Sequence, residues 1–374
     1  MSTTIRDAEV ATVGPSTVTV TFVTDPGVTV TTQVGDRETV TTGPHHVASF
    51  TDLAPATEYS IAVEGLAEVT DEMPDTVHTL AEPPGELLAT FATVNDVHFG
   101  ETVCGMIHNI PEEELGPWAR AEPGEDPYPV TMNRAAVAEI EALAPDVVIA
   151  KGDLTCVGSD EEYQAFLDTY ASLGESLHHV RGNHDAMQDP TLALEGAPYA
   201  VELNGVTLAV IDTVRPGDAG GQITRDQLAW LDATAAETSG PVFVFGHHQV
   251  WDLRAAERST KYFGIDPDSS EALAAVAGRR ENIVGYFAGH THRNRIRRFE
   301  EARDVPFVEI GAVKEYMGVW AEYRVYAGGY TQVVHRLASP EAQSWSERTR
   351  FLYGGLYPDY SRGRLDHRCF AYNF

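Results

Sequence analysis

A short apolar run, a glycine and then a residue of metal-ligand type recur along the chain. The pairs after these runs are Gly152-Asp153, Gly182-Asn183, Gly246-His247 and Gly289-His290. Glycine permits a tight exit from a strand and a close approach of the backbone to a site. In open α/β sheets the ligand site lies outside the carboxyl ends of the strands. The pattern therefore predicts strands whose carboxyl ends carry one polar site.

Strands of buried type alternate with amphipathic helices through the region that carries these pairs. We expect strands at 88–94, 146–150, 206–211, 242–245 and 283–287, and helices at 132–144, 160–173 and 224–236. This alternation is typical of an α/β domain that contains parallel strands. We assign the domain to residues 86–338.

The N-terminal residues 1–82 have a different character, with Val- and Thr-rich runs separated by turn signals such as Asp25-Pro26-Gly27. That pattern predicts a small all-β sandwich. The stretch Leu53–Tyr59 resembles the tyrosine corner of a fibronectin type III domain, although an ordinary β-hairpin that contains a Tyr is the alternative. Ala81-Glu82-Pro83-Pro84-Gly85 has the composition of a linker.

Two further segments have no clear periodicity. Residues 100–130 form a predicted loop rich in Pro, Gly and acidic residues, and long loops of this kind often cover a site. Residues 339–374 are rich in Tyr, Arg and Gly. We expect this C-terminal extension either to cover the site or to form an interface.

Composition excludes some classes of protein. The 374 residues carry a net charge of −30, which argues against a long nucleic acid as partner. The three cysteines show no close pairing motif, and no apolar run is long enough to span a membrane. Met1 to Val10 lacks the features of a signal peptide, so a cytoplasmic location is expected. The sequence leaves open whether the chain forms homo-oligomers.

A further motif, Asp96-Val97-His98, follows the first predicted strand. Side chains two positions apart on an extended segment share a face, so this carboxylate and imidazole can reach one ion together. The complete order is Asp-x-His, Gly-Asp, Gly-Asn-His-Asp, Gly-His and Gly-His-x-His. Across residues 88–336 it resembles the calcineurin-like metallophosphoesterases, which implies an α/β sandwich of two β-sheets flanked by helices.

The resemblance also implies a dinuclear metal centre. One metal ion would be held by Asp96, His98, Asp153 and His292, and the other by Asp153, Asn183, His247 and His290. Asp153 would be shared. Two adjacent ions can hold a bridging hydroxide as nucleophile and bracket the phosphoryl oxygens of a small phosphate ester. Imidazole with carboxylate suits Mn, Fe or Zn, so the identity of the metals stays open.

The residues next to Asn183 carry a second implied role. In the family, the histidine that matches His184 pairs with the following acidic residue, here Asp185, and donates a proton to the leaving alkoxide. A purely supporting hydrogen bond is the alternative for His184. We expect His248 to support a ligand rather than to bind metal.

Motif details distinguish branches of the family. A β-sandwich before the catalytic domain is similar to purple acid phosphatases, but those enzymes have Gly where this chain has His98 and a metal-binding Tyr where it has Cys156. The His98 version resembles class III cyclic nucleotide phosphodiesterases and bacterial glycerophosphodiesterases. That group usually has Pro where Gln249 stands here, so the resemblance does not assign the substrate.

These features favour hydrolysis of small phosphodiesters. Phosphomonoesterase activity is the alternative, and a catalytically silent metal-binding scaffold or a carbohydrate- or protein-binding module with an accessory enzyme is a further one.

Overall fold

The computed structural model describes residues 4–107, 110–194, 196–259 and 261–374. Its N-terminal unit is all-β, with the strands β1 (Arg6–Val13), β2 (Val18–Val23), β3 (Thr29–Val34), β4 (Arg37–Thr42), β5 (His45–Phe50), β6 (Glu58–Val63) and β7 (Thr76–His78). They form one sheet in the order β1-β2-β5 and another in the order β4-β3-β6-β7. The all-β prediction for this region is confirmed. The Tyr59 hydroxyl accepts a hydrogen bond from the Ala54 amide at 2.8 Å, a contact that ties a strand to the preceding turn.

The second unit mixes strands and helices. Its elements up to residue 237 are β8 (Leu87–Val94), α1 (Glu112–Leu115), α2 (Tyr128–Leu143), β9 (Val147–Lys151), α3 (Asp160–Tyr170), β10 (Leu177–Val180), β11 (Tyr199–Leu203), β12 (Val206–Val210) and α4 (Arg225–Glu237). They continue with β13 (Val242–Phe245), α5 (Pro267–Arg279), β14 (Ile283–Ala288), β15 (Arg295–Arg297), β16 (Phe307–Glu309), β17 (Val319–Tyr326) and β18 (Gly329–Arg336).

The C-terminal residues contribute α6 (Pro340–Thr349), α7 (Tyr357–Ser361), α8 (Leu365–Arg368) and β19 (Phe370–Asn373). Strand β19 pairs antiparallel with β18 and forms the edge of a sheet. The predicted boundary at residue 338 therefore falls within a single sheet. The sequence did not reveal the pairing of β19 with β18, because a short terminal strand is too brief to show a periodic pattern.

Two mixed sheets face each other in the described part of the second unit. Their orders are β10-β9-β8-β17-β18-β19 and β11-β12-β13-β14-β16-β15. Strands β8, β9 and β10 run parallel, as do β12, β13, β14 and β16. This confirms the predicted α/β fold with two sheets.

An aromatic core joins the two sheets. The Phe91 ring on β8 stacks on Tyr323 at 4.6 Å and meets Phe243 and Phe245 of the other sheet edge-on, at 5.2 and 5.7 Å between centroids. Edge-to-face contacts of this kind add to the free energy gained by burying the rings. The sheets are thus held face to face, and their carboxyl ends lie at one end of the molecule.

The predicted loop 100–130 is shorter than expected, because α2 already begins at Tyr128. Pro127 precedes the helix and Pro129 lies in its first turn. Proline is accommodated in a first turn because the amide hydrogens there have no partner within the helix. The last two prolines of the predicted loop therefore belong to a helix start.

The N-terminal unit packs directly on the second unit through a buried charge. Glu9 on β1 is 1% exposed and pairs with Arg336 at 2.7 Å and Arg350 at 3.3 Å. It also accepts a hydrogen bond from the Tyr316 hydroxyl at 2.8 Å. None of the helices in the described ranges has the length and apolar character needed to cross a bilayer.

Candidate metal centre

Loops that follow β8, β9, β10, β13 and β14 bring the predicted ligands together. The first three strands belong to one sheet and the last two belong to the other. The site therefore lies where the carboxyl ends of the two sheets meet. The side chains that gather there are Asp96, His98, Asp153, Asn183, His247, His290 and His292.

One group of donor atoms comes from Asp96, His98, Asp153 and His292. These atoms lie within 4.8 Å of one another. His98 Nε2 is 3.5 Å from Asp153 Oδ2, and His292 Nε2 is 3.3 Å from Asp96 Oδ1. Two atoms bound to one ion at about 2.1 Å lie roughly 3 Å apart, so these separations fit a shared ion.

A second group surrounds the other oxygen of Asp153. His247 Nε2 lies 3.3 Å from Asp153 Oδ1 and 3.2 Å from Asn183 Oδ1. His290 Nδ1 is 3.2 Å from the same His247 nitrogen. The two oxygens of the Asp153 carboxylate thus face different groups, which is the geometry of a bridging ligand.

His98 provides a direct test of whether the site fits a metal ion. Its side chain is buried, and neither ring nitrogen has a hydrogen-bond partner in the part of the chain that the structure describes. A buried imidazole without a partner is costly, because its polar atoms have lost water. Coordination of an ion by Nε2 would satisfy it.

Left-handed backbone recurs at the site, as it does at several turns elsewhere in the chain. Asp96, His98, Asp153, His290 and His292 all have positive φ, at 53°, 48°, 50°, 66° and 53°. Non-glycine residues rarely adopt this left-handed conformation, and each instance costs about 1–3 kcal/mol. Such strain clusters at functional sites, where the surrounding structure holds it.

Two glycines before the ligands are required by close packing. A Cβ at Gly182 would lie 2.2 Å from Asp153 Oδ1. A Cβ at Gly152, which has φ of +89°, would lie 2.6 Å from His247 Nδ1. Any side chain at either position would displace a ligand, which explains why glycine ends these strands.

Hydrogen bonds orient the histidines. His247 Nδ1 donates to the Lys151 carbonyl at 2.8 Å, and His292 Nδ1 donates to Glu315 Oε1 at 2.6 Å. Each bond fixes the tautomer and turns Nε2 toward the carboxylates. This arrangement is common for metal-binding histidines.

Nearby carboxylates raise the pKa of two of the site histidines, whereas burial and neighbouring histidines lower that of others. Burial opposes protonation of His247, but Asp153 and Asp96 outweigh it and raise its pKa to about 9. Burial likewise opposes protonation of His292, yet Asp96 and Glu315 raise its pKa to about 10. In His290, burial and the charge of His247 lower the pKa to about 3. The carboxylates thus attract a cation, which in the metal-free chain is a proton.

His184 lies at the edge of this cluster. Its ring meets the His98 ring edge-on with centroids 4.6 Å apart, and its backbone amide donates to Asp153 Oδ1 at 3.0 Å. The His184 Nδ1 atom donates to the Cys156 carbonyl at 2.6 Å. Because Nδ1 carries the hydrogen of that bond, Nε2 is the nitrogen available to a substrate.

The expected pairing of Asp185 with His184 differs from the structure. The buried Asp185 carboxylate accepts hydrogen bonds from the amides of Gly182, Leu154 and Thr155 and from the Thr155 hydroxyl, at 2.7 to 3.2 Å. Burial and the nearby Asp153 raise its pKa to about 6. Three amides and a hydroxyl donate more hydrogen bonds to this carboxylate than one imidazole could. Asp185 therefore fixes the loops that carry Asp153 and Asn183.

His248 lies closer to the centre than expected. Its donor atoms fall within 4.8 Å of those of His247 and His290. Nδ1 is 2.9 Å from the Thr213 hydroxyl, whereas the buried Nε2 has no hydrogen-bond partner among the described residues. Burial and the adjacent histidines hold its pKa well below the usual range.

Three supporting residues carry no motif that would reveal them in the sequence. The buried Lys151 Nζ donates to the Ala288 carbonyl at 2.9 Å and so joins the carboxyl ends of β9 and β14. Asn95 Nδ2 donates to Asp96 Oδ2 at 2.6 Å. Glu315 accepts from His292, as described above. Only their position next to a ligand indicates a role.

A two-sheet α/β sandwich with an Asp/His cluster at the carboxyl ends of its strands defines a metal-dependent hydrolase. The model of the calcineurin-like phosphoesterase family matches residues 89–294, which is more than half of the chain. This protein therefore belongs to the calcineurin-like phosphoesterase family.

Among curated relatives, the chain is 28% identical over 190 residues to the glycerophosphodiester phosphodiesterase GpdQ of Enterobacter lignolyticus, covering 46% of this chain and 65% of that protein. It is 30% identical over 170 residues to a probable cyclic nucleotide phosphodiesterase of Synechococcus, covering 44% and 65%. The alignments thus span slightly less than two thirds of these relatives.

Among solved structures, a dimetal phosphatase from Danio rerio aligns with a TM-score of 0.53 at 15% identity, covering 67% of this chain and 97% of that one. At this identity the likeness supports the fold.

Proposed function

We propose that this protein is a dinuclear metal-dependent phosphodiesterase that hydrolyses small phosphodiesters. The observation that carries the proposal is the Asp153 carboxylate, whose two oxygens face two separate histidine groups. One ion would be held by Asp96, His98, Asp153 and His292, and the other by Asp153, Asn183, His247 and His290. His248 is close enough to the second group to act as a further ligand or to contact the substrate.

When bound, two transition-metal ions supply Lewis-acid stabilisation of the phosphoryl oxygens and a nucleophile derived from water. Histidine with carboxylate donors suits Mn, Fe or Zn. The ligand charges favour an anionic substrate, because Asp96 and Asp153 carry two negative charges against two divalent ions. Asn183 is neutral and preserves the positive excess, and local ions outweigh the remote surface charge of −30.

His184 is the proposed proton donor to the leaving alkoxide. Its Nδ1 is held by the Cys156 carbonyl at 2.6 Å, so the ring is oriented before substrate binds and Nε2 is left as the nitrogen that would donate the proton. A positioned imidazole of this kind contributes about 10²–10⁴-fold to a rate. Asp185 acts as a positioning residue, because its hydrogen bonds hold the loops of Asp153 and Asn183.

The preference for diesters is supported by His98 in the first motif and by the names of the relatives, which are phosphodiesterases. The loop that follows Gly100 contains Trp118, Arg120 and His108, which could cover the second ester group of a substrate. His108 lies outside the described residues. Arg120 instead lies over the Trp118 ring at 5.5 Å and pairs with Glu112 at 3.1 Å. The beginning of the loop does contact the site, because the Cys104 thiol donates a hydrogen bond to Glu315.

The test is a substrate panel under one metal condition. Protein loaded with Mn²⁺ is assayed with bis-nitrophenyl phosphate, a 3′,5′-cyclic nucleotide, a glycerophosphodiester and nitrophenyl phosphate. We expect higher kcat/KM for the diesters. A clear preference for nitrophenyl phosphate would replace the diesterase proposal with the phosphomonoesterase alternative, and inactivity on all four despite bound metal would favour a silent scaffold.

A further inference from the structure

Glu315 lies at the centre of a hydrogen-bond network behind His292. Its Oε1 accepts from His292 Nδ1 at 2.6 Å and from the Tyr357 hydroxyl. Its Oε2 accepts from the Cys104 thiol at 2.8 Å and lies 3.4 Å from Lys314 Nζ. Both carboxylate oxygens are therefore engaged, and the side chain has one orientation.

The partners of Glu315 come from distant parts of the sequence. Cys104 belongs to the loop after β8, and Tyr357 opens α7 in the C-terminal residues. The next helix residue that reaches the site is Tyr360, whose hydroxyl donates to the Thr291 carbonyl at 2.9 Å. Helix α7 thus contacts the loop that carries His290 and His292 directly through Tyr360, and indirectly through the bond from Tyr357 to Glu315.

The neighbour of Glu315 extends the network to the N-terminal unit. The Tyr316 hydroxyl donates to Glu9 on β1, and its amide donates to the Thr349 hydroxyl at 2.8 Å on α6. The segment that carries Glu315 is therefore fixed from both sides.

A carboxylate that accepts from the outer nitrogen of a metal-binding histidine fixes the tautomer and the ring plane, and it raises the basicity of the inner nitrogen. His292 meets this description, because its Nε2 faces Asp96 Oδ1 at 3.3 Å. Without Glu315 the ring would be free to rotate or to exchange tautomers.

We propose that Glu315 is a positioning residue for the His98–His292 half of the metal centre, and that α7 holds it in place through Tyr357. The proposal rests on the two-metal function above. It assigns residues 357–361 to the construction of the site rather than to a separate extension.

The experiment is a Mn²⁺ titration of the metal-free full-length chain by calorimetry, together with metal content after gel filtration. The variants are Glu315→Gln and Tyr357→Phe. Glu322→Gln is the matched control, because Glu322 is also a buried carboxylate bonded to a histidine, His335, at 2.8 Å, but that histidine is no ligand.

We expect wild type to bind two ions. Glu315→Gln should weaken the binding of one ion about 10–100-fold, which is the usual effect of removing such a partner. The affinity for the other ion should not change. Tyr357→Phe should weaken the binding of the ion that Glu315→Gln affects, to a smaller degree, and Glu322→Gln should match wild type. In a His98→Ala variant, the additional substitution Glu315→Gln should not change the affinity for the remaining ion.

The proposal would be overturned if folded Glu315→Gln bound both ions with wild-type affinity. It would also be overturned if the variant bound both ions more weakly by the same factor. If Glu315→Gln does not fold, as judged by circular dichroism, Tyr357→Phe decides in the same way. A wild-type chain that binds a single ion would contradict the two-metal function instead, whereas the effect of Glu315→Gln on that ion still tests the positioning role.

Discussion

Replacing Glu9 with Gln should lower the free energy of unfolding by weakening the contact between the two units, without touching the metal centre. The Glu9 carboxylate is buried between β1 and the second unit, with Arg336 at 2.7 Å and Arg350 at 3.3 Å. Glutamine keeps the shape of the side chain but removes its charge. The buried guanidinium groups then lose their counter-charge, and an unpaired buried charge is strongly unfavourable.

The magnitude follows from proton linkage. Burial opposes ionisation of Glu9, but Arg350, Arg336 and Arg368 outweigh it and lower its pKa from 4.5 to about 2. Since a tenfold change in proton affinity is about 1.4 kcal/mol, ionised Glu9 contributes roughly 3 kcal/mol to the free energy of unfolding at neutral pH. This agrees with the roughly 3–5 kcal/mol typical of breaking a buried ion pair.

The sign of the pH dependence is fixed by the lowered pKa. The contribution is complete above pH 4.5, where the unfolded chain is also ionised, and it is lost as the pH falls toward about 2. Urea unfolding followed by circular dichroism should therefore show a deficit of about 3 kcal/mol for Glu9→Gln at pH 7, and this deficit should shrink between pH 4.5 and 2. The control is Glu64→Gln, because Glu64 is an exposed carboxylate in the same unit. A Glu9→Gln variant within 0.5 kcal/mol of wild type at pH 7, or a deficit that is constant down to pH 3, would refute the reasoning.

Three further outcomes test the metal centre. Asp153→Ala should abolish activity and lower the metal content of both sites because it removes the shared ligand; two full equivalents by elemental analysis would contradict this. His184→Ala should lower turnover by about 10²–10⁴-fold on esters with poor alkoxide leaving groups and much less on nitrophenyl esters, which need little protonation; equal losses would indicate that His184 only positions the phosphate. Because His247 and His292 hold protons at pH 7 in the metal-free chain, Mn²⁺ binding should release protons and tighten as the pH rises to 9. Calorimetry in buffers of different ionisation enthalpy measures the release, and affinity independent of pH would exclude this account.

The sequence alone predicted the α/β class, the all-β N-terminal unit and the set of polar residues that the structure brings together at the strand ends. Most of these residues follow an apolar run and a glycine, whereas Asp96 and His98 follow their strand without a glycine. The carboxyl ends of the strands meet at one edge, so the residues gather there. Helix and strand boundaries shifted by a few residues, most clearly at α2, where prolines start a helix. The predicted strands do not include β17 and β18, whose charged residues, such as Glu322 and Arg336, are buried in ion pairs that residue type alone does not reveal.

Tertiary structure alone decided which partners each ligand has. Asp185 is adjacent to His184 in sequence, yet its carboxylate bonds the amides that follow β9 instead. Glu315 meets His292 across 23 positions of sequence and is bonded by Tyr357 of α7, and Glu9 meets Arg336 across 327 positions. Contacts of this kind depend on the non-local packing of whole elements, whereas residue type and spacing report only what a segment does on its own.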